Sequence, residues 1–337
     1  MGGHVFLFLL GLLLLIKGGD WFVDGATGIA KRFKIPEILI GATVVSIGTT
    51  LPEVMVSATA AMTESGDMAY GNSIGSIICN TALIAAITVA IKPAKVDRAS
   101  LIIPVCFFFG SAIFFSIMAY FVGYFPRWAG IVLVLTFIAY MLLVIFKTIK
   151  KPKEQSLLSV ENCESEKNNS EIEENGKTTK FSLLKEIGFL LVGAGLIAIG
   201  ATLLVEKGQI IARALGVPET VISLTFISIG TSLPELVTAI TSLVKGKGAL
   251  SLGNLIGANL FNLVLVSGIA ITIAPFSLPI GVTIGNVSAS LIIDIPVMLT
   301  VMGILTIPAL IRGKLSKVQG YILLLIYASF VALQFLL

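Results

Sequence analysis

Apolar runs of about 20 residues, the length that crosses bilayer hydrocarbon, recur along nearly the whole chain, and short segments rich in Gly, Pro, Lys and Arg separate them. This punctuation predicts ten helices at 4–28, 36–62, 69–91, 100–124, 127–147, 183–205, 218–244, 249–274, about 294–312 and 318–336. Two stretches break the rhythm. Residues 275–293 stay fairly apolar but carry Pro275, Pro279 and Gly285-Asn286, which suits either a loop or a helix extension. Residues 148–182 hold Lys150-Lys151-Pro152-Lys153 and a series of glutamates from Glu161 to Glu174, the composition of a flexible aqueous linker.

Composition agrees with a chain that lives in lipid: 56% of residues are hydrophobic, 12% are charged and the mean hydropathy is +1.01. The net charge of +4 lies in the loops and gives no footprint for nucleic acid. Basic residues also set an orientation. With 148–182 in the cytoplasm, Lys31, Arg32, Lys34, Lys92, Lys95, Arg98, Lys245, Lys247, Arg312, Lys314 and Lys317 fall inside, whereas Arg127, Lys207 and Arg213 fall outside. Both termini are then expected on the outer face of the plasma membrane. The run Val5–Ile16 has no basic segment before it and continues through Lys17, so it reads as a retained helix rather than a cleaved signal.

Metal-binding side chains are scarce. His4 is the single histidine, and Cys79, Cys106 and Cys163 are far apart, which argues against an imidazole–thiolate zinc or copper centre and against a disulfide framework. Oxygen ligands are left to carry any cation chemistry.

The chain repeats itself at a constant offset of 182 residues. Pro36-Glu37 matches Pro218-Glu219, SIGTTLPE (46–53) matches SIGTSLPE (228–235), Gly71-Asn72 matches Gly253-Asn254, Gly75 matches Gly257 and Asn80 matches Asn262. Each copy holds five predicted crossings, an odd number, so the second copy enters the membrane from the opposite side. The expected fold is all-α, ten transmembrane helices in two inverted five-helix repeats: 1–147 and 183–337, with motif regions 36–85 and 218–267, joined by the linker 148–182.

Thr43, Ser46, Thr50, Glu53 and Ser57 recur at helical spacing and line one face, and Thr225, Ser228, Ser232 and Glu235 repeat the stripe. A carboxylate flanked by hydroxyls in hydrocarbon is costly unless it faces a polar cavity. Pro52 lacks an N–H, leaving the Gly48 carbonyl without its helical partner, and Pro234 does the same to Gly230; a break or kink is expected at each. Carbonyl, hydroxyl and carboxylate oxygens are the donors that Na⁺ and Ca²⁺ take. Glu53 lies about four residues, roughly 6 Å, past the middle of its span, and inversion puts Glu235 on the other side of the midplane. Two such carboxylates balance one Ca²⁺, and once it leaves, Na⁺ or protons must relieve their repulsion. The third span adds Asn72, Ser76 and Asn80; the matching set is Asn254, Ala258 and Asn262, one hydroxyl short.

The segments GTTLPE (48–53) and GTSLPE (230–235), followed by GNSIGSIICN (71–80) and GNLIGANLFN (253–262), resemble the two alpha-repeats of the cation/calcium exchanger superfamily, in its sodium/calcium exchanger branch of prokaryotic type. The resemblance covers the chain outside 148–182. It implies that the second, third, seventh and eighth helices form the ion site and that the long first and sixth helices slide across this core, giving alternating access. Carried over by position, Glu53 and Glu235 with the carbonyls of Thr49 and Thr231 would hold calcium. An outer sodium would take Glu53, Ser76, Ser232 and the Ser228 carbonyl; an inner one would take Glu235, Thr50 and the Ser46 carbonyl, with Asn80 and Asn262 completing the centre. Ala258 leaves the inner position a ligand short, and some family members have aspartate where this chain has Asn262. The resemblance thus implies an antiporter, not an enzyme, that needs no cofactor, carries Na⁺ and Ca²⁺, and acts as a monomer in the bilayer.

Blander readings compete. A structural ion pair for Glu53 or Glu235 finds no Lys or Arg in the interior of the four motif helices. The hydroxyls could back-bond to their own helices. Asn72 and Asn254, near helix entrances, are read as loop holders, Glu37 and Glu219 as first-turn acids that complement helix dipoles, and Asp294 as an N-cap. Asp20 and Asp24 suggest a magnesium-diphosphate prenyl-transfer enzyme, but the second copy has Thr202 and Glu206 there. A calcium/proton antiporter would use the same two glutamates, and a passive channel suits broken helices in inverted repeats less well.

Overall fold

A computed structural model describes residues 2–93, 96–158, 176–215, 228–279, 283–284 and 287–336. The apolar runs form helices α1 (Gly2–Arg32), α2 (Glu37–Met62), α3 (Gly66–Ile91), α4 (Arg98–Val122), α5 (Arg127–Leu158) and α6 (Gly176–Ala214). The second half continues with a broken α7 (Ser228–Thr231 and Leu233–Val244), α8 (Gly248–Ile273), α9 (Ser290–Arg312) and α10 (Lys317–Leu336). Among the described residues nine of these helices are long and apolar enough to cross a membrane, and α7 is the described part of the tenth. The earlier part of the expected seventh span, 218–227, lies outside the described residues.

Length and apolarity make the helices, but burial decides which ones form the centre. In α3 and α8, 72% and 78% of the most apolar stretch is enclosed by protein, against 28% in α1 and α6 and 17% in α10. The two enclosed helices are the repeat partners, and their ends differ by the sequence offset of 182. They meet through polar side chains as well as apolar packing: the hydroxyls of Ser73 and Ser267 are 2.9 Å apart, and Asn259 Nδ2 donates to Thr81 Oγ1 at 2.7 Å. Tyr140 of α5 donates from its hydroxyl to the Ala42 carbonyl of α2 at 2.9 Å.

Helices α1 and α6 pack on each other through glycines. A Cβ on Gly193 would stand 2.5 Å from the Phe22 nitrogen, and one on Gly11 would stand 2.9 Å from the Gly200 carbonyl oxygen, so the seam exists only because these positions lack side chains. The pair lies against the core at one end, where Lys245 Nζ, just past α7, reaches Asp24 Oδ1 at 2.7 Å and the Asp20 carbonyl at 2.9 Å. Beside it Lys247 pairs with Glu37 at 2.7 Å. Glu37 is therefore a first-turn acid, as expected, with an ion-pair partner in addition. Glu219 lies outside the described residues.

Several expectations change. The stretch after α8 is neither plain loop nor helix extension: Phe276–Ser277 pairs antiparallel with Tyr124–Phe125, and Thr283–Ile284 pairs with Val287–Ser288, so among the described residues four two-residue strands accompany the helices. Both flanks of the expected linker are helical, because α5 runs on to Leu158 and α6 starts at Gly176; residues 159–175 lie outside the described residues. Asp294 is not an N-cap. The helix already starts at Ser290 with a π turn, so Asp294 sits within it, makes no capping bond and accepts from Gln334 Nε2 at 3.2 Å. A proline two residues on marks a helix start well, but a π turn ahead of it carries the helix back by a turn.

Candidate ion site

The motif stripes come together where α2, α3, α7 and α8 pack. Glu53 and Glu235 are both fully enclosed, within electrostatic reach of each other. Oε1 of Glu235 stands 3.5 Å from Thr50 Oγ1, so one repeat's hydroxyl reaches the other repeat's carboxylate. Ser46, Thr49, Thr50, Ser76, Ser232, Asn80 and Asn262 are also buried, and Thr231 is half-buried. The side chain of Ser228 lies outside the described residues.

Proline acts differently in the two copies. Helical hydrogen bonding continues through Pro52 from Ser46 to Met62, so the expected break is absent from α2. In α7 the break is present, at Ser232 (φ −88°, ψ 5°), and Pro234 falls in the first turn of the new segment, where a missing N–H costs nothing. Asn80 and Asn262 each open a π-helical segment, Asn80–Ala85 and Asn262–Val266, which widens the helix at matching positions.

The unusual feature is how many of these atoms have no partner. Both Glu53 oxygens, Oε2 of Glu235, Ser232 Oγ and the amide atoms of Asn80 and Asn262 are buried without a hydrogen bond. Each such atom costs about 1–3 kcal/mol, and folded proteins keep them few. Here they gather on four helices from both repeats. No Lys or Arg side chain is buried among the described residues, so no protein cation stands ready to neutralise the two acids there. The donor set is carboxylate, carboxamide and hydroxyl, suited to a hard cation.

Other hydroxyls are committed. Thr43 back-bonds to the Leu39 carbonyl at 2.7 Å. The single Ser46 hydroxyl proton is shared between the carbonyls of Gly41 and Asn254, at 2.7 and 2.9 Å, which leaves its own carbonyl as the group it could offer an ion.

Reading Asn72 and Asn254 as loop holders is wrong. Asn72 Nδ2 donates to the Glu53 carbonyl at 3.1 Å and to Ser57 Oγ at 2.9 Å, and the Asn254 carboxamide oxygen accepts from Thr49 Oγ1 at 3.2 Å. Both lie one to two turns inside their helices, and both bond to α2, on either side of Glu53. The signal that could have found them was the repeat itself, which keeps a Gly-Asn pair in both copies.

A cavity of about 690 Å³ lies between α1 and α6 on one side and α2 and α7 on the other. Gly48, Thr49, Gly230 and Thr231 form its core-side wall, and Phe22 and Glu206 belong to the opposite wall. The two glycines whose carbonyls face proline thus border open space. Asp20 and Asp24, by contrast, converge on Lys245, at 3.5 and 2.7 Å, so their charge is met by an ammonium and not offered to a diphosphate-bound metal.

Comparison with known proteins agrees with this architecture. The sodium/calcium exchanger protein family matches residues 3–146 and 185–336. The sodium/calcium exchanger MaX1 of Methanosarcina acetivorans is 30% identical over 98% of this chain and 97% of its own, and the putative antiporter CaxA of Alkalimonas amylolytica is 33% identical over 98% and 97%. A structure of the sodium-calcium exchanger NCX_Mj soaked with Na⁺ and Sr²⁺ superimposes with a TM-score of 0.77 at 28% identity, covering 98% of both chains. Two inverted five-helix repeats, a buried oxygen-rich centre between them and a family match to both halves together establish that this chain belongs to the sodium/calcium exchanger family and is a cation/calcium antiporter of the membrane.

Proposed function

We propose that the protein exchanges Na⁺ for Ca²⁺ by alternating access, through a midplane site centred on Glu53 and Glu235. What carries the reading is the set of buried, unpartnered oxygens contributed by both repeats. Two carboxylates taken out of water without a cation cost several kcal/mol each. A single Ca²⁺ supplies the two charges that offset this, and monovalent ions supply the same charge only by entering together. The two loads use the same oxygens and therefore exclude each other.

Thr49 and Thr231 offer carbonyls to calcium beside the two glutamates. Ser76 and Ser232, with the Ser228 carbonyl, complete a sodium position at Glu53; Thr50 and the Ser46 carbonyl complete one at Glu235, where Thr50 already stands. Asn80 and Asn262, which open the two π segments and whose amide atoms are buried without a partner, complete the centre. Because Ala258 brings no hydroxyl, the position at Glu235 is the weaker of the two. Helices α1 and α6 move over the core to expose the site to each side in turn. The halves 1–147 and 183–337 act as the two repeats, with 148–182 connecting them on the cytoplasmic side and both termini outside the plasma membrane, in a monomer that needs no cofactor.

The test is sodium-gradient-driven ⁴⁵Ca²⁺ uptake into proteoliposomes. Wild type should take up calcium, and Glu53→Gln and Glu235→Gln should abolish uptake while staying monodisperse. The reading fails if either variant transports normally. Calcium/proton exchange through the same glutamates predicts instead that uptake follows a pH gradient with sodium absent.

A further inference from the structure

The asparagine that follows glycine in each motif copy stands just behind the proposed ligands. Asn72 is half-buried on α3, and its one amide nitrogen donates twice into α2: to the Glu53 carbonyl at 3.1 Å and to Ser57 Oγ, one turn further on, at 2.9 Å. This pins α3 to α2 at the residue that carries the carboxylate. A backbone held at Glu53 fixes the point from which its side chain reaches into the site.

Asn254 is the repeat partner, but it makes a different set of bonds. Its carboxamide oxygen accepts from Thr49 Oγ1 at 3.2 Å, and its backbone carbonyl accepts from Ser46 Oγ at 2.9 Å. Both donors lie on α2, in the opposite repeat. The position that matches Ser57 is Ala239, with no hydroxyl to receive the amide, and Asn254 Nδ2 is buried without a partner. One asparagine therefore works within its own repeat and the other across the two, and both converge on α2.

Resting on the exchange reading, we propose that Asn72 and Asn254 are positioning residues of the ion site. Asn72 sets the place of the Glu53 carboxylate through the backbone, and Asn254 sets Thr49 through its hydroxyl. The first-repeat side of the site is thus held from two directions. On the Glu235 side the contact from Thr50 is long, at 3.5 Å, and Thr49, which Asn254 holds, reaches the same carboxylate. Calcium ligation needs several oxygens together at about 2.3–2.6 Å, and a loosened Glu53 should weaken affinity before it slows turnover.

The experiment compares Asn72→Ala, Ser57→Ala, Asn254→Ala and Thr49→Val, with the doubles Asn72→Ala/Ser57→Ala and Asn254→Ala/Thr49→Val, for calcium KM and maximal rate in proteoliposomes. Outer-shell partners of metal ligands typically shift affinity by about tenfold or more. Asn72→Ala should raise KM about tenfold with maximal rate within about twofold; Ser57→Ala should do much less, since the bond to the Glu53 carbonyl survives, and the double should match Asn72→Ala alone. Asn254→Ala should raise KM in the Thr49 background and change it little beside Thr49→Val. A monodisperse Asn72→Ala with wild-type KM, or an Asn254→Ala effect that persists undiminished beside Thr49→Val, overturns the proposal. If Asn72→Ala is not monodisperse, Asn72→Ser replaces it, too short to span both acceptors, with the same expected and overturning outcomes. Calcium-dependent thermal stabilisation in detergent gives the same comparison without flux. Wild type that is stabilised by calcium but shows no sodium-driven uptake overturns the exchange reading, while the shift in half-stabilising calcium between wild type and Asn72→Ala still decides the positioning role.

Discussion

The Thr50 hydroxyl lies 3.5 Å from Oε1 of Glu235, across the boundary between the two repeats. At that length it is a weak hydrogen bond, worth less than the usual 0.5–1.5 kcal/mol, but it joins a first-repeat side chain to the second repeat's acid. In the proposed site, Thr50 is the hydroxyl assigned to the sodium position at Glu235. Thr50→Val should therefore raise the sodium concentration for half-maximal exchange about two- to fivefold, with a smaller effect on calcium KM. Sodium titration of exchange in proteoliposomes measures this, and an unchanged half-saturation counts against the assignment.

Ala258 is fully buried where the other copy has Ser76. Ala258→Ser adds the oxygen that this half lacks and should lower the sodium half-saturation relative to wild type. The added atom in a packed helix costs about 1–3 kcal/mol, so the variant should also melt at a lower temperature. Finding the lower melting temperature without the gain in sodium sensitivity would show that the hydroxyl does not reach the ion.

Gly193 faces the Phe22 backbone so closely that a Cβ would stand 2.5 Å from its nitrogen. Backbone cannot swing aside as a flexible side chain does, and Gly193→Ala should destabilise by about 1–3 kcal/mol. Thermal unfolding in detergent reads this directly. Gly188, with open space around it, is the control, and Gly188→Ala should have little effect.

Lys245 ties α1 to the end of α7, but its side chain is 26% exposed and that of Asp24 is 52% exposed. Exposed pairs contribute about 0–1 kcal/mol and are screened by salt. Lys245→Gln should lower thermal stability only slightly, and the difference from wild type should shrink in high salt. A large loss that salt leaves untouched would mean that the Asp20 carbonyl contact matters more than the charge.

Much of this fold was readable in the residues, because lipid imposes one strong rule: a span must be apolar and helical throughout. The places of α3 and α8, expected at 69–91 and 249–274 and found at Gly66–Ile91 and Gly248–Ile273, follow from hydropathy, and their equivalence follows from the 182-residue offset. The acids Glu53 and Glu235 stood out for the same reason, as charges with no partner in apolar spans. What escaped was set by backbone geometry that side-chain pattern does not encode. The π segments at Asn80, Asn262 and Ser290 shift the helical phase without any residue signature, which is why Asp294 was misread as a cap. Equal prolines led to an equal expectation for α2 and α7, yet the helix breaks in only one of them. Asn72 looked peripheral because it lies near a helix entrance, whereas packing of α3 on α2 brings its amide to the Glu53 carbonyl.

The glycine seam between α1 and α6 has a consequence for measuring motion. Since each helix rests on the other's main chain at Gly11, Gly18, Gly193 and Gly200, a slip of one along the other would drive side chains into backbone, so the movement proposed above would carry the two as a single plank. Spectroscopic labels placed one on each would keep a constant spacing through the transport cycle, while a label on either would report the plank's full displacement against one fixed on α3.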